Sequence, residues 1–102
     1  RAADLAARVR AAFPATTVRL GDTPDARYDV AINATSLGMK IRDELPMSRD
    51  LVERAALVAD CVVAPEMTGL LALAASRGRA FHTGVPMLEA QMSLMLEFMG
   101  VQ

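Results

Sequence analysis

The chain has 102 residues, 53% of them hydrophobic, and a formal net charge of -1 from 11 basic and 12 acidic side chains. That apolar content supports a folded core, and the near balance of charge leaves no strong field to attract nucleic acid or an anionic membrane. Apolar runs such as Ala55 to Ala59 and Leu70 to Ala75 fall far short of the ~20 residues that cross a bilayer, and a lone cysteine, Cys61, excludes an internal disulfide and any zinc-type Cys/His set.

Residues 2–12 are alanine-rich, and Leu5, Val9 and Phe13 recur four apart, so the spacing predicts a helix with one apolar stripe, ended by Pro14. No capping residue precedes it and the chain opens at Arg1 without a methionine, which reads as a piece of a longer protein. Thr17, Val18, Arg19 and Leu20 predict a short β segment, closed by the turn residues Gly21, Asp22, Thr23 and Pro24. A second strand is expected over 28–33. Residues 40–50 are polar and mixed and read as a mobile flap leading into a short helix near Arg49 to Arg54. The apolar run 56–62 predicts a strand buried on both faces of a parallel sheet. A helix from Thr68 to Arg77 stopped by Gly78, a short strand over 80–83 and a long helix over 86–99 complete the pattern. Strands alternating with helices imply an α/β fold: a partial doubly wound, Rossmann-type parallel sheet with flanking helices.

The stretch with the clearest chemical content is Asn33-Ala34-Thr35-Ser36-Leu37-Gly38-Met39, directly after the second strand. Small residues allow close approach, Asn, Thr and Ser supply hydrogen-bond groups, and open α/β sheets bind ligands at the carboxyl ends of strands. A nucleotide or small-molecule cleft fits this loop, and so does an ordinary turn. No Gly-x-Gly-x-x-Gly phosphate loop occurs. The single histidine, His82, has no nucleophile beside it and reads as structural, while Asp43, Glu44, Asp50 and Glu53 read as solvated faces. Nothing in the chain forms a catalytic constellation or a metal site.

Three blocks in register resemble the C-terminal part of the shikimate dehydrogenase family. They are the 33–39 loop; Asp60 followed by Pro65-Glu66-Met67-Thr68-Gly69-Leu70-Leu71; and Gly84-Val85-Pro86-Met87-Leu88-Glu89-Ala90-Gln91. The resemblance implies that residues 1–102 are the C-terminal portion of an NADP-binding domain, whose last helix, 86–99, packs toward an N-terminal substrate domain of the same polypeptide. It implies cofactor contacts from Arg1 (to the 2′-phosphate), Asn33, Thr35, Ser36, Cys61, Gly84 and Met87, and a substrate contact from Gln91. Read without it, Arg1 is a helix-end charge, Gln91 an exposed helix residue, and the stripe Leu88, Met92, Met95, Met99 a packing face.

The implied parent is a cytoplasmic oxidoreductase that reversibly reduces 3-dehydroshikimate to shikimate, or acts on a relative such as quinate. It serves aromatic amino acid biosynthesis through chorismate, and a homodimer is compatible. The catalytic Lys and Asp of that family belong to the substrate domain, so this chain alone would be inactive. Val63 stands where the family has a tyrosine near the substrate, Gly69 where Pro is usual, and Leu96 and Met99 replace Phe and Trp. The chain therefore resembles a divergent member of that family. Two other readings stay open: a non-catalytic sensor or accessory subunit that binds a nucleotide or metabolite, and a different NADP-linked oxidoreductase sharing only the cofactor half.

Overall fold

Three parallel strands form the sheet, in the spatial order β1 (Tyr28–Asn33), β2 (Ala55–Asp60), β3 (Ala80–His82). The structure is a computed structural model and describes residues 1–21, 25–40 and 42–100. Helix α1 (Ala2–Ala12) precedes β1, α2 (Arg49–Arg54) leads into β2, α3 (Gly69–Ser76) joins β2 to β3, and α4 (Val85–Phe98) follows β3. Parallel strands need such crossovers, because their ends lie at opposite edges of the sheet. The α/β reading of the sequence is borne out.

Local chemistry explains the boundaries. Ser48 caps α2 by accepting from the amide of Leu51 at 3.1 Å, and Thr68 caps α3 by accepting from Leu71 at 3.3 Å. Pro86 sits in the first turn of α4, where the missing N–H has no intrahelical partner to lose. The core lies between one sheet face and α2 with α3. Ala31, Val52, Ala55, Val58, Leu70, Leu71, Leu73 and Ala74 are buried there, with Tyr28, Leu45, Met47 and Leu51 packed against them.

Three expectations change, and a fourth falls largely outside the described residues. Residues 17–20 are not a strand: among the described residues β1 pairs only with β2, so the segment finds no ladder, and the carbonyl of Val18 instead accepts from Arg10 Nη2 at 2.6 Å. The turn expected at 21–24 falls on residues 22–24, outside the described residues. β2 is covered on one face only. On the other, Leu57 and Ala59 lie half-buried beside Val30 and Ile32, which are exposed, because neither α1 nor α4 packs extensively on any strand. The segment expected to be a flap is anchored, since Leu45 and Met47 pack on the core. Ile41 within it lies outside the described residues.

The two end helices stand apart. In α1 only Ala6 is buried and the expected stripe is largely uncovered, with Leu5 and Phe13 exposed. No residue of α4 is buried, and Leu88, Met92, Met95 and Met99 are all exposed.

Candidate functional site

The carboxyl ends of β1 and β2 are side by side, with Asn33 opposite Asp60 in the ladder and the amide of Cys61 bonded to the carbonyl of Asn33 at 2.9 Å. The chain leaves each strand into a loop of small residues. Between those loops lies a cleft of about 510 Å³ lined by Ala34, Thr35, Ser36, Met39, Cys61, Val62, Val63 and Ala64. Its place, beyond the carboxyl edge of a parallel sheet, is where α/β folds bind ligands.

Buried hydrogen bonds shape the first loop. Asn33 is 2% exposed and its amide is saturated. Nδ2 donates to the carbonyl of Leu37 at 2.9 Å and to Asp60 Oδ1 at 3.1 Å, while Oδ1 accepts from the amide and the hydroxyl of Thr35 at 3.0 and 2.6 Å. Two hydrogens and two acceptor positions are all that a primary amide has. The hydroxyl of Thr35 also accepts from the amide of Leu37 at 3.2 Å, so the loop is wound around these side chains. It ends at Gly38, whose φ of +113° disfavours any residue with a Cβ. The carboxylate of Asp43 closes the following turn, its Oδ2 accepting from the amides of Gly38 at 3.0 Å and Lys40 at 3.1 Å. Those two backbone bonds hold the Asp43 carboxyl below its usual value of 3.8, because they favour the ionised form.

The second loop is set by Asp60 and Gly84. Asp60 is 3% exposed and accepts from the amide of Val62 at 2.9 Å as well as from Asn33, and its other oxygen accepts from the hydroxyl of Thr68 at 2.7 Å. Gly84, the buried N-cap of α4, presses against this loop: a Cβ there would stand 2.6 Å from the carbonyl oxygen of Val62 and 2.9 Å from that of Cys61. The start of α4 therefore meets the end of β2 backbone to backbone.

Of the residues singled out from sequence, Thr35, Ser36 and Cys61 line the cleft and Gly84 supports its second wall. Asn33 lies beneath it with no free side-chain group, so its part is to shape the loop. Arg1, Met87 and Gln91 are exposed and outside the cleft lining. Sequence reasoning missed the roles of Asp60, Thr68 and Asp43. Asp60 could have been found from its place at the end of an apolar strand, level with Asn33. Asp43 could have been found from its place just after a glycine-containing loop. Asp50 and Glu53 do lie at the surface, in ion pairs with Arg54 at 3.0 Å and Arg77 at 3.2 Å. His82 is exposed, and its Nδ1 lies 2.9 Å from the carbonyl of Thr83.

Among the described residues, no helix is long and apolar enough to cross a membrane.

No family model matches the chain. Individual proteins do. It is 36% identical over 94 residues, 89% of its length, to a protein from Methanocella arvoryzae named shikimate dehydrogenase (NADP(+)). It is 41% identical over 76 residues, 74% of its length, to one of the same name from Nitrobacter winogradskyi, and 38% identical over 77 residues to one from Geobacillus kaustophilus. The chain spans 35%, 27% and 28% of these relatives, about a third of their length or less. A solved shikimate 5-dehydrogenase-like protein superposes with a TM-score of 0.55 at 24% identity, over 64% of this chain and 25% of that one, which supports the fold. Over the part of these relatives that it spans, the chain is similar to proteins named shikimate dehydrogenase (NADP(+)).

Proposed function

We propose that this chain is the nicotinamide-positioning part of an NADP-dependent, shikimate dehydrogenase-like oxidoreductase, which interconverts 3-dehydroshikimate and shikimate or a quinate-type relative. The observation that carries the reading is the cleft between residues 34–36 and 61–64, which sits where a parallel sheet binds ligands and is walled by the loop on which the resemblance to the family rests. The fit to a nicotinamide is chemical: a flat ring with one amide needs a narrow slot with apolar walls and a few polar groups. Val62, Val63 and Met39 supply the walls, and the hydroxyls of Thr35 and Ser36 the polar groups.

When bound, the cofactor supplies the hydride chemistry. The residues of this chain orient the ring. The wound 33–38 loop fixes one wall, the Asp60 carboxylate fixes the turn through Val62, and Gly84 lets the start of α4 close on that turn. Arg1 would meet the 2′-phosphate, Met87 the ring and Gln91 a substrate hydroxyl once the rest of the protein is in place. The uncovered apolar residues of α4 fit the proposal that this helix packs toward a substrate domain. A cytoplasmic location suits a protein whose one cysteine is free.

One observation favours the second reading, a sensor or accessory subunit: the cleft is lined by Val63, which offers no hydroxyl to a polyol. The test is to express the full natural reading frame and follow nicotinamide absorbance with shikimate and with quinate, each with NADP and NAD. Turnover with NADP and either acid supports the enzyme. Cofactor binding without turnover on any pair would put the sensor first.

A further inference from the structure

The buried carboxylate of Asp60 lies behind the cleft and accepts hydrogen bonds from three separate segments. Oδ1 receives Asn33 Nδ2 at 3.1 Å from the end of β1 and the amide of Val62 at 2.9 Å from the turn after β2, and Oδ2 receives the hydroxyl of Thr68 at 2.7 Å from the cap of α3. Asp60, Asn33 and Thr68 are 3%, 2% and 1% exposed, so water cannot replace any of these bonds. The directions are also fixed. Thr68 accepts from the amide of Leu71 and donates its own hydrogen to Asp60, and Asn33 uses its oxygen on Thr35, so its amide hydrogens face Asp60 and Leu37. One buried side chain accepting from all three segments ties them to each other.

We infer that Asp60 is a positioning residue that locks the two loops of the cleft to each other through Asn33, Val62 and Thr68, and so sets the width of the nicotinamide slot. In its effect on cofactor this rests on the function proposed above; the coupling of the loops does not. Asp60→Asn would keep acceptors for Asn33 and Val62 but turn an amide hydrogen toward Thr68, so the bond donated by the Thr68 hydroxyl is lost and only a weaker bond in the reverse direction can take its place. Thr68→Val removes the same bond from the other side, together with the cap to Leu71, with little change of shape, and Thr68→Ser keeps both.

The experiment is residue-resolved amide hydrogen exchange on the full natural protein and these three variants, with NADPH titration by fluorescence alongside. Asp60→Asn and Thr68→Val should speed exchange in both 35–38 and 61–63 by roughly tenfold, the worth of about one charge-assisted bond, while Thr68→Ser stays near wild type. The NADPH dissociation constant should rise by a similar factor in the first two only. Unchanged exchange in either loop, or acceleration spread evenly over all strands and helices, overturns the inference. If the wild-type protein binds no NADPH, the proposed cofactor fails while the exchange comparison still decides the coupling. If Asp60→Asn does not fold, the Thr68→Val and Thr68→Ser pair decides it.

Discussion

At Gly84 the backbone is ordinary for any residue, with φ at -77°, so the constraint is one of space. The atoms that a methyl group would meet, at 2.6 and 2.9 Å, are carbonyl oxygens of the chain, which cannot swing aside as a side-chain tip would. Gly84→Ala should therefore push the start of α4 from the strand end, with a loss of roughly 1–3 kcal/mol in stability and a disproportionate fall in kcat/KM. Urea unfolding and steady-state kinetics on the same preparation would measure both. Asp43 gives a pH prediction. Its carboxyl is held below 3.8 in the folded chain by the amides of Gly38 and Lys40, so its contribution is fully present above that value and is lost as pH falls through the lower folded one. The Gly38 amide resonance should move in that acid range in the wild type. In Asp43→Asn it should stay flat, with faster exchange at every pH.

Among the elements, α2 and α3 are both capped by a hydroxyl, but only one cap has a second task. Ser48 serves the amide of Leu51 at the surface, whereas Thr68 also donates to a buried carboxylate. Ser48→Ala should remove about 1 kcal/mol, and Thr68→Ala clearly more, about 2–4 kcal/mol, because it leaves Asp60 short of a donor. Denaturant midpoints at equal slope would rank them. The helices and strands that follow residue 28 were legible because punctuation and burial agree locally: Gly78 ends α3, Pro86 opens α4, and 55–60 is apolar enough to be a central strand. Residues 17–20 have the composition of a strand but no ladder to join, and pairing, unlike helix formation, is not a local property. The ligand loop was readable as a run of small and polar residues. The carboxylate that holds it was not, because its donors come from positions 33, 62 and 68 and meet only when the sheet and α3 are assembled.

For the molecule as a whole, the radius of gyration of 15.8 Å exceeds the ~13 Å of a compact domain of this length, because α1 and α4 stand away from the sheet. The apolar side of α4 carries Met92, Met95 and Met99, and the uncovered sheet face carries Val30 and Ile32. If α4 packs toward a substrate domain, Met95→Glu should destabilise the full natural protein by roughly 1–3 kcal/mol, seen as a drop of several degrees in Tm. An unchanged Tm would mean that α4 faces solvent there.

The central claim is that the nicotinamide lies between residues 34–36 and 61–64. A crystal structure of the full natural protein with NADP tests it most directly. The account predicts the ring in that cleft, beside Thr35, Ser36 and the Cys61–Val62 backbone, with Asp60 still bonded to Asn33, Val62 and Thr68. A cofactor bound elsewhere, with this cleft filled by protein or solvent, would contradict it.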